Sequence, residues 1–239
     1  MLDFKKKVSL KPLEELSVSK CPICASYVCH AYYMQDSKSN KKSKWFSCSC
    51  GVVYNSQKPS RPSKEPQKYN IHKVQEYQYP VRIYSPLIEE LIYGRRVLII
   101  NPDNSYQEEA FKERGWVPTV IKDFETHQFS EVTKYNLIWL YHSLESMLNP
   151  VGSLELCKKI LAEDGILFIG AVDTDFINTR SSSCFIHWKH DQNFIMWNRK
   201  SITSHLEKLG FNVILARQNY EHRFPYWDDI HLIAQKKFF

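Results

Sequence analysis

From residue 95 onward, short apolar runs alternate with longer stretches in which apolar residues recur at helical spacing. The longer stretches predict helices at residues 106–114, 152–161 and 200–209, each followed by a glycine that can end a helix. The apolar runs predict strands at residues 97–100, 119–121, 137–140, 166–170, 212–216 and 230–235. Strands and helices in this order predict an α/β domain built on a mostly parallel sheet, with helices on both faces.

The front of the chain lacks this alternation. Residues 57–70 contain three prolines and several charges, with no apolar residue before Tyr69, which is the composition of a linker. Residues 38–44 have no apolar period and predict an exposed loop. We therefore divide the chain into a small module at residues 1–56, a linker at 57–76 and the α/β domain at 77–239.

Charge separates the same two parts. Residues 1–75 hold 14 Lys and Arg against 5 Asp and Glu, whereas the remainder holds 18 against 21. A basic module attracts nucleic acid or an acidic protein, although a lysine-rich surface also serves simply to keep a small module in solution. The chain shows neither an apolar run long enough to span a membrane nor a secretory signal, so we expect a cytoplasmic protein with no membrane partner.

Five of the seven cysteines lie between residues 21 and 50, and in a reducing compartment such a cluster indicates metal ligands. Cys21 and Cys24 flank a two-residue turn that can point two thiolates at one ion, and Cys48 and Cys50 form a second, tighter pair. Four thiolates predict a closed, structural zinc site in a small zinc ribbon, with no coordination position left for catalysis. Because the second pair has only one intervening residue, Cys29 or His30 remains an alternative to Cys48.

Three segments of the larger domain carry a family resemblance: residues 135–150 (YNLIWLYHSLESMLNP), 156–170 (LCKKILAEDGILFIG) and 194–214 (FIMWNRKSITSHLEKLGFNVI). In this order they resemble the class I methyltransferases that use S-adenosylmethionine, and the CPIC and CSCGVVYN segments resemble a zinc-binding segment that precedes some of them, including ones acting on sugars. The resemblance implies a Rossmann-like methyltransferase sheet, S-adenosylmethionine as cofactor, and a sugar or nucleotide-sugar among the small molecules that are candidate acceptors.

The resemblance also implies where the cofactor binds. Members of the family follow the first strand of the sheet with a glycine-rich turn, whereas this chain reads Asn101-Pro102-Asp103-Asn104-Ser105, without glycine. We expect Asn104 to take a left-handed conformation and Asp103 to meet the ammonium group of the cofactor. The other predicted cofactor residues follow later strands: Asp123 for the ribose hydroxyls, and Leu140, Tyr141 and His142 beside the adenine and the methionine.

Residues 172–197 form a connection that is long and polar enough to predict a functional loop. His187 and His190 lie in it, and imidazole titrates near neutral pH, so these two are our candidates for the base that takes a proton from the acceptor. Each can equally be an ordinary packed histidine.

Two alternatives to a methyltransferase stay open at this point. The glycine-free turn, together with Ser146 where the family carries histidine, fits a protein that has lost catalysis and serves as a binding or assembly module, contacting nucleic acid through its basic front. A zinc-ribbon protein whose α/β domain binds another nucleotide is the other alternative, which the lack of a glycine-rich phosphate loop disfavours.

Overall fold

The protein contains two β-sheets, and the smaller sheet includes one short strand from the part of the chain that forms the larger domain. A computed structural model describes residues 8–11, 20–27, 30–35, 42–56, 71–101, 105–130, 132–175, 193–219 and 229–237. In chain order its elements are β1 (Val8–Lys11), β2 (His30–Gln35), β3 (Lys42–Ser47), β4 (Val53–Asn55), α1 (Ile71–Glu89), β5 (Arg96–Ile100), α2 (Tyr106–Glu113), β6 (Val117–Ile121), β7 (Tyr135–Tyr141), α3 (Pro150–Ile160), β8 (Leu161–Val172), β9 (Ile195–Met196), α4 (Arg199–Lys208), β10 (Phe211–Asn219) and β11 (Asp229–Lys236).

The larger sheet has six strands in the order β10-β11-β8-β7-β5-β6. The strands β6, β5, β7 and β8 are parallel to one another, while β11 lies antiparallel between β8 and β10. Every strand predicted from the apolar runs is present, most of them one to five residues longer at an end than predicted. The expected α/β fold with a parallel-rich, Rossmann-like sheet is confirmed.

Alternating side chains of this sheet enter two separate cores, as the two-residue period of a strand requires. Leu98, Ile138 and Leu167 pack on one face, and their neighbours Ile99 and Trp139 pack on the other. Because both faces are covered, the central strands are apolar throughout rather than alternating with polar residues. That continuity is what made them visible as apolar runs.

Helices α3 and α4 are each preceded by a residue whose side chain satisfies a free backbone N–H group. Asn149 accepts a hydrogen bond from the N–H of Gly152 (3.0 Å), so α3 begins at Pro150, two residues earlier than predicted. Asn198 does the same for α4 by accepting from the N–H of Ser201 (2.8 Å). These caps define where the polypeptide enters each helix and therefore where the preceding loops meet the sheet.

The longest described helix, α1, is missing from the sequence-based prediction. It begins at Ile71, so residues 71–76 of the stretch predicted as linker are helical. Pro80 and Pro86 lie inside it, and proline in a helical pattern normally signals a break. Its buried side chains nevertheless recur at helical spacing and cover the sheet beside α2: Tyr77, Val81, Tyr84 and Ile88. No helix in the described part of the chain is both long and apolar enough to cross a membrane.

The second sheet is antiparallel, in the order β1-β2-β3-β4-β9. Its strand β3 begins at Lys42, and Ser43 is buried, so the loop predicted at residues 38–44 is wrong in its last three residues. Strand β9 comes from the larger domain and pairs with β4, with Val53 opposite Met196. Phe46 and Tyr54 of this sheet belong to the same buried cluster as Leu98 and Ile138, so the cysteine module and the α/β domain share a core.

Candidate functional site

The larger sheet has one topological switch point, between β5 and β7. From β5 the chain continues to β6 on one side, and later strands are added on the other side, starting with β7. Open α/β sheets bind their ligands in the crevice that this arrangement leaves at the carboxyl ends of the strands. Ser143 closes the base of the crevice, because its hydroxyl donates to the carbonyl of Ile100 (2.6 Å). We take this edge as the candidate site.

The residues that follow β5 and β7 both have left-handed backbones, with φ of 48° at Asn101 and 51° at His142. Non-glycine residues seldom adopt this conformation, and asparagine and histidine are among those that do so most readily. Asn101 thus supplies a left-handed residue at the start of the segment in which the family carries glycine. Asp103 and Asn104 lie outside the described residues.

Asn101 also connects β5 to β6. Its N–H donates to the carbonyl of Ile121 (2.7 Å), and its side-chain oxygen accepts from the N–H of Phe124 (3.3 Å). Asp123, predicted to bind the ribose, is exposed at the same edge, two residues after the end of β6. The structure therefore brings Asn101 and Asp123 to the ends of neighbouring strands, as the prediction required of two residues that contact one ligand.

The loops after β6 and β7 are joined by one carboxylate. Glu125 accepts from the backbone N–H groups of Leu148 (3.0 Å) and Asn149 (2.6 Å). Glu125 lies in the short turn Phe124–Thr126, and Leu148 and Asn149 lie just before α3. The connection fixes the loop that carries Asp123 relative to the helix that follows β7.

The three residues predicted at the end of β7 have different surroundings. Leu140 is buried in one core, and Tyr141 is buried in the other, where its ring meets that of Tyr77 edge-on at 5.9 Å. The side chain of His142 is 19% exposed and reaches the edge. A cofactor contact stays a prediction for all three, and His142 is the one whose side chain is accessible.

His142 belongs to a cluster that the sequence did not reveal. Its Nε2 lies 3.1 Å from Asp229 Oδ2, and its Nδ1 lies 3.6 Å from Glu145 Oε1. Burial alone would lower the pKa of His142, but the carboxylates of Asp229 and Glu145 outweigh it and raise the pKa well above its usual value. The two carboxylates therefore favour the protonated form of His142, whose ring nitrogens both face carboxylates of the chain itself.

Glu145 is the central acid of this cluster. Its side chain is almost fully buried, and Oε1 accepts from the N–H of Val172 (2.8 Å) while the carbonyl of Glu145 accepts from the N–H of Phe194 (2.6 Å). The other carboxylate oxygen, Oε2, is buried and has no hydrogen-bond partner among the described residues. Glu145 thus links the turn after β7 to the end of β8 and to the approach to β9.

Two further buried groups lie along this side of the sheet. His231 in β11 shares a hydrogen bond of 2.8 Å between its Nδ1 and the Tyr84 hydroxyl, and burial lowers the pKa of His231 to about 4. Asp173 follows β8, and burial raises its pKa to about 6, although Asp175 N–H and the Gln218 amide both donate to its carboxylate. The signal for His231 was a polar residue inside an apolar strand.

The four predicted metal ligands converge. Their sulfur atoms all lie within 4.8 Å of one another, with Cys21 Sγ 3.8 Å from Cys50 Sγ and Cys24 Sγ 3.4 Å from Cys48 Sγ. A zinc ion bonded to four sulfurs at about 2.3 Å separates them by about 3.8 Å in a tetrahedron. The donor set and its spacing therefore fit zinc.

The contacts between the thiols shift their pKa values away from the usual value of a cysteine. The contact with Cys50 lowers the pKa of Cys21 to about 5, and the same contact raises the pKa of Cys50. The contact thus favours the thiolate form of one of the two, and the thiolate is the form that binds metal. The alternative ligand His30 is exposed in β2 and is not part of the group, while Cys29 lies outside the described residues.

The predicted catalytic residues His187 and His190 lie outside the described residues, and so does most of the long connection that carries them. The described ends of that connection are Asp173 to Asp175 and Asn193 onward. Both ends are at the carboxyl edge, because Asp173 forms a bridge with Trp197.

The strand order defines the class of the protein, which is a Rossmann-like α/β fold with a candidate site at the switch point between β5 and β7. The family is narrower. Residues 26–216 match the family model described as a methyltransferase domain, and this match spans well over half of the chain. The chain belongs to that methyltransferase family. No curated protein has a sequence that matches it.

Solved structures agree in fold. The glycopeptide N-methyltransferase MtfA complexed with sinefungin is similar over 68% of this chain and 87% of its own, with 10% identity and a TM-score of 0.50. A second structure of that enzyme is similar over 67% and 90%, again with 10% identity and a TM-score of 0.50. A methyltransferase from Thermotoga maritima is similar over 69% and 92%, with 14% identity and a TM-score of 0.46. At these identities the likeness is one of fold alone.

Proposed function

We propose that this protein transfers a methyl group from S-adenosylmethionine to a small molecule, and that the acceptor is a sugar or nucleotide-sugar. The observation that carries the first part is the pair of left-handed turns at Asn101 and His142. Both residues follow the strands that border the switch point, β5 and β7, at the edge where Asp123 follows β6. The membership of a methyltransferase family supports the same reaction. The sugar rests on the resemblance of the cysteine segment and not on a feature of the crevice.

In this proposal Asp123 accepts hydrogen bonds from the ribose hydroxyls, and Asn101 shapes the turn beneath the cofactor. Asp103, Asn104 and His142 complete its surroundings, with Asp103 meeting the ammonium group. The absence of glycine from residues 101–105 is compatible with binding, because asparagine tolerates the left-handed conformation that the turn needs. When bound, the cofactor supplies an activated methyl carbon.

In this reaction the role of the protein is to position the acceptor and to remove its proton. His187 and His190 are the proposed bases. His142 is unsuited to that role, because it is held as a cation and both ring nitrogens face carboxylates. Its proposed function is to neutralise Asp229 and Glu145 at the edge beside the crevice.

We also propose that Cys21, Cys24, Cys48 and Cys50 hold one structural zinc ion. The support is the convergence of four sulfurs at tetrahedral spacing, with Cys21 already inclined to the thiolate form. A closed four-sulfur shell leaves the ion no position for substrate, so its role is to hold the two turns together. An acidic or nucleic-acid partner at the basic front of the chain stays a prediction.

Calorimetry with S-adenosylmethionine tests the proposed function. The zinc-loaded protein should bind it, and Asp123→Ala should weaken binding by roughly tenfold to a hundredfold, the worth of hydrogen bonds to a charged group. Asp164→Ala is the matched control, since Asp164 lies near the opposite end of β8. Absence of binding heat and of a thermal shift at millimolar cofactor would remove the proposal and favour an inactive binding module.

A further inference from the structure

The second cysteine turn contacts the α/β domain directly. Strand β4 begins two residues after Gly51 and pairs with β9, with Tyr54 opposite Ile195. The N–H of Asn55 extends this pairing by donating to the carbonyl of Phe194 (2.8 Å). Any movement of the turn is therefore transmitted to β9 through backbone hydrogen bonds.

Gly51 makes the closest contact of the turn. Its φ is 92°, and its carbonyl accepts a hydrogen bond from the hydroxyl of Thr174 (3.0 Å). A Cβ on Gly51 would overlap the side-chain amide of Asn198. Glycine is required here both for the backbone conformation and for the close approach of Asn198.

Asn198 extends the contact to the edge of the larger sheet. Its side-chain oxygen caps α4 through Ser201, while its side-chain nitrogen donates to Asp175 Oδ1 (3.0 Å). The N–H of Asp175 in turn donates to Asp173 Oδ1 (2.9 Å). One amide thus connects the cysteine turn, the first turn of α4 and the residues that follow β8.

The same end of β8 leads to His142. The N–H of Val172 donates to Glu145, and the carboxylates of Glu145 and Asp229 surround the His142 imidazole. This side of the edge lies across β7 from Asn101 and Asp123, the residues proposed to bind the cofactor. It is therefore the side left for the acceptor, an assignment that rests on the proposed function.

We propose that the metal-bearing turn Cys48-Ser49-Cys50-Gly51 positions residues 172–175 and the start of α4, so that metal binding orders the acceptor side of the site. Gly51, Thr174 and Asn198 act as positioning residues. The cysteine module is then a supporting wall of the methyltransferase site rather than a separately attached domain. Its metal acts through the fold and contacts neither cofactor nor acceptor.

Hydrogen exchange measured by mass spectrometry on zinc-loaded and chelator-stripped protein tests this. Stripping should accelerate exchange at residues 172–175 and 194–201 by at least about tenfold, because several hydrogen bonds of these segments depend on the turn. Within the described residues, strands β5 and β6 form no hydrogen bond with this turn, and they serve as the internal reference. Acceleration confined to residues 20–56 would overturn the proposal.

A variant that keeps its metal covers the case in which stripping unfolds the whole chain. Thr174→Val removes the bond to Gly51 and should accelerate exchange at residues 172–175 by roughly threefold to tenfold, the worth of one hydrogen bond, with zinc content unchanged. Thr203→Val is matched to it, because the Thr203 hydroxyl is buried without a hydrogen-bond partner in the described part of the chain. Equal exchange in Thr174→Val and the parent protein would also overturn the proposal.

Cofactor calorimetry keeps the two proposals apart. Faster exchange after stripping in a protein that never binds S-adenosylmethionine would leave the positioning role and remove the methyltransferase reaction. Cofactor binding with unchanged exchange in both experiments would support the methyltransferase reaction and remove the positioning role.

Discussion

The cysteine cluster and the His142 cluster each gather ionisable side chains into a few ångströms, but they are balanced in different ways. Four thiols that become thiolates repel one another, so the cysteine cluster needs a cation from outside. In the His142 cluster the chain supplies both signs, with an imidazolium between Asp229 and Glu145. The charge balance of the cysteine cluster therefore depends on the supply of metal, whereas that of the His142 cluster depends on pH.

The largest expected effect is on the cysteine cluster. Cys48→Ser should lose most of about one zinc ion per chain and lower the free energy of unfolding by about 4 kcal/mol or more, because loss of a structural metal is among the most destabilising changes. Metal analysis together with urea unfolding measures both quantities.

Cys157→Ala is the control, since Cys157 is buried in α3, away from the cluster, and should leave the zinc content unchanged. A Cys48→Ser protein that retains its full zinc content would exclude Cys48 as a ligand and turn attention to Cys29 or His30.

The next effect is on the His142 cluster. Asp229→Asn removes one partner of a buried ion pair and should lower the free energy of unfolding by about 3 kcal/mol at about pH 6. Because the folded protein raises the pKa of His142, the stability from this pair is complete below the unfolded pKa of about 6.5 and is lost as the pH rises through the folded value. The difference between parent and variant should therefore shrink at alkaline pH.

Urea unfolding across this pH range tests the expectation, and Asp164→Asn should leave the pH profile unchanged. An NMR titration of the His142 imidazole supplies a direct check. A His142 pKa near 6.5 in the parent protein would contradict the assignment of a fixed cation.

The smallest effect concerns the neutral histidine of the same sheet. Tyr84→Phe removes the hydrogen bond to His231 and should lower the free energy of unfolding by about 1 kcal/mol at neutral pH.

Burial also lowers the pKa of His231 to about 4. As the pH falls from about 6.5 towards that value, the unfolded chain binds a proton that the folded chain does not, so the parent protein should lose stability.

Thermal unfolding of Tyr84→Phe, with Tyr93→Phe as control, measures this effect, because the ring of Tyr93 is 99% exposed. If both variants unfold with the same free energy as the parent protein, the hydrogen bond contributes nothing measurable.

Much of the fold could be predicted from the sequence, because burial on both faces makes each central strand a continuous apolar run. Helix α1 could not, since Pro80 and Pro86 conceal a regular set of buried positions from Tyr77 to Ile88. Strand β9 was missed for another reason. Two residues carry no period, and Ile195–Met196 becomes a strand only because β4 is present to pair with it.

The candidate sites also differ in how far a local sequence pattern reveals them. The four cysteines lie within 30 residues of one another, and the spacing within each pair shows the chemistry. The cluster of His142, Glu145 and Asp229 depends on β11 lying beside β8, a pairing over more than fifty residues that no local pattern encodes. The left-handed backbone at Asn101 could not be predicted either, because asparagine adopts this conformation only where the surrounding structure requires it.

The position of β11 has a consequence for how the chain acquires its structure during synthesis. This strand follows all the other described strands in the chain, yet it lies inside the sheet between β8 and β10. Until residues 229–236 leave the ribosome, two long strands have unpaired edges and Asp229 is not yet beside His142. A nascent chain at that stage is exposed to wrong strand pairing, so the interval before β11 emerges should be the period in which this sheet most needs a chaperone.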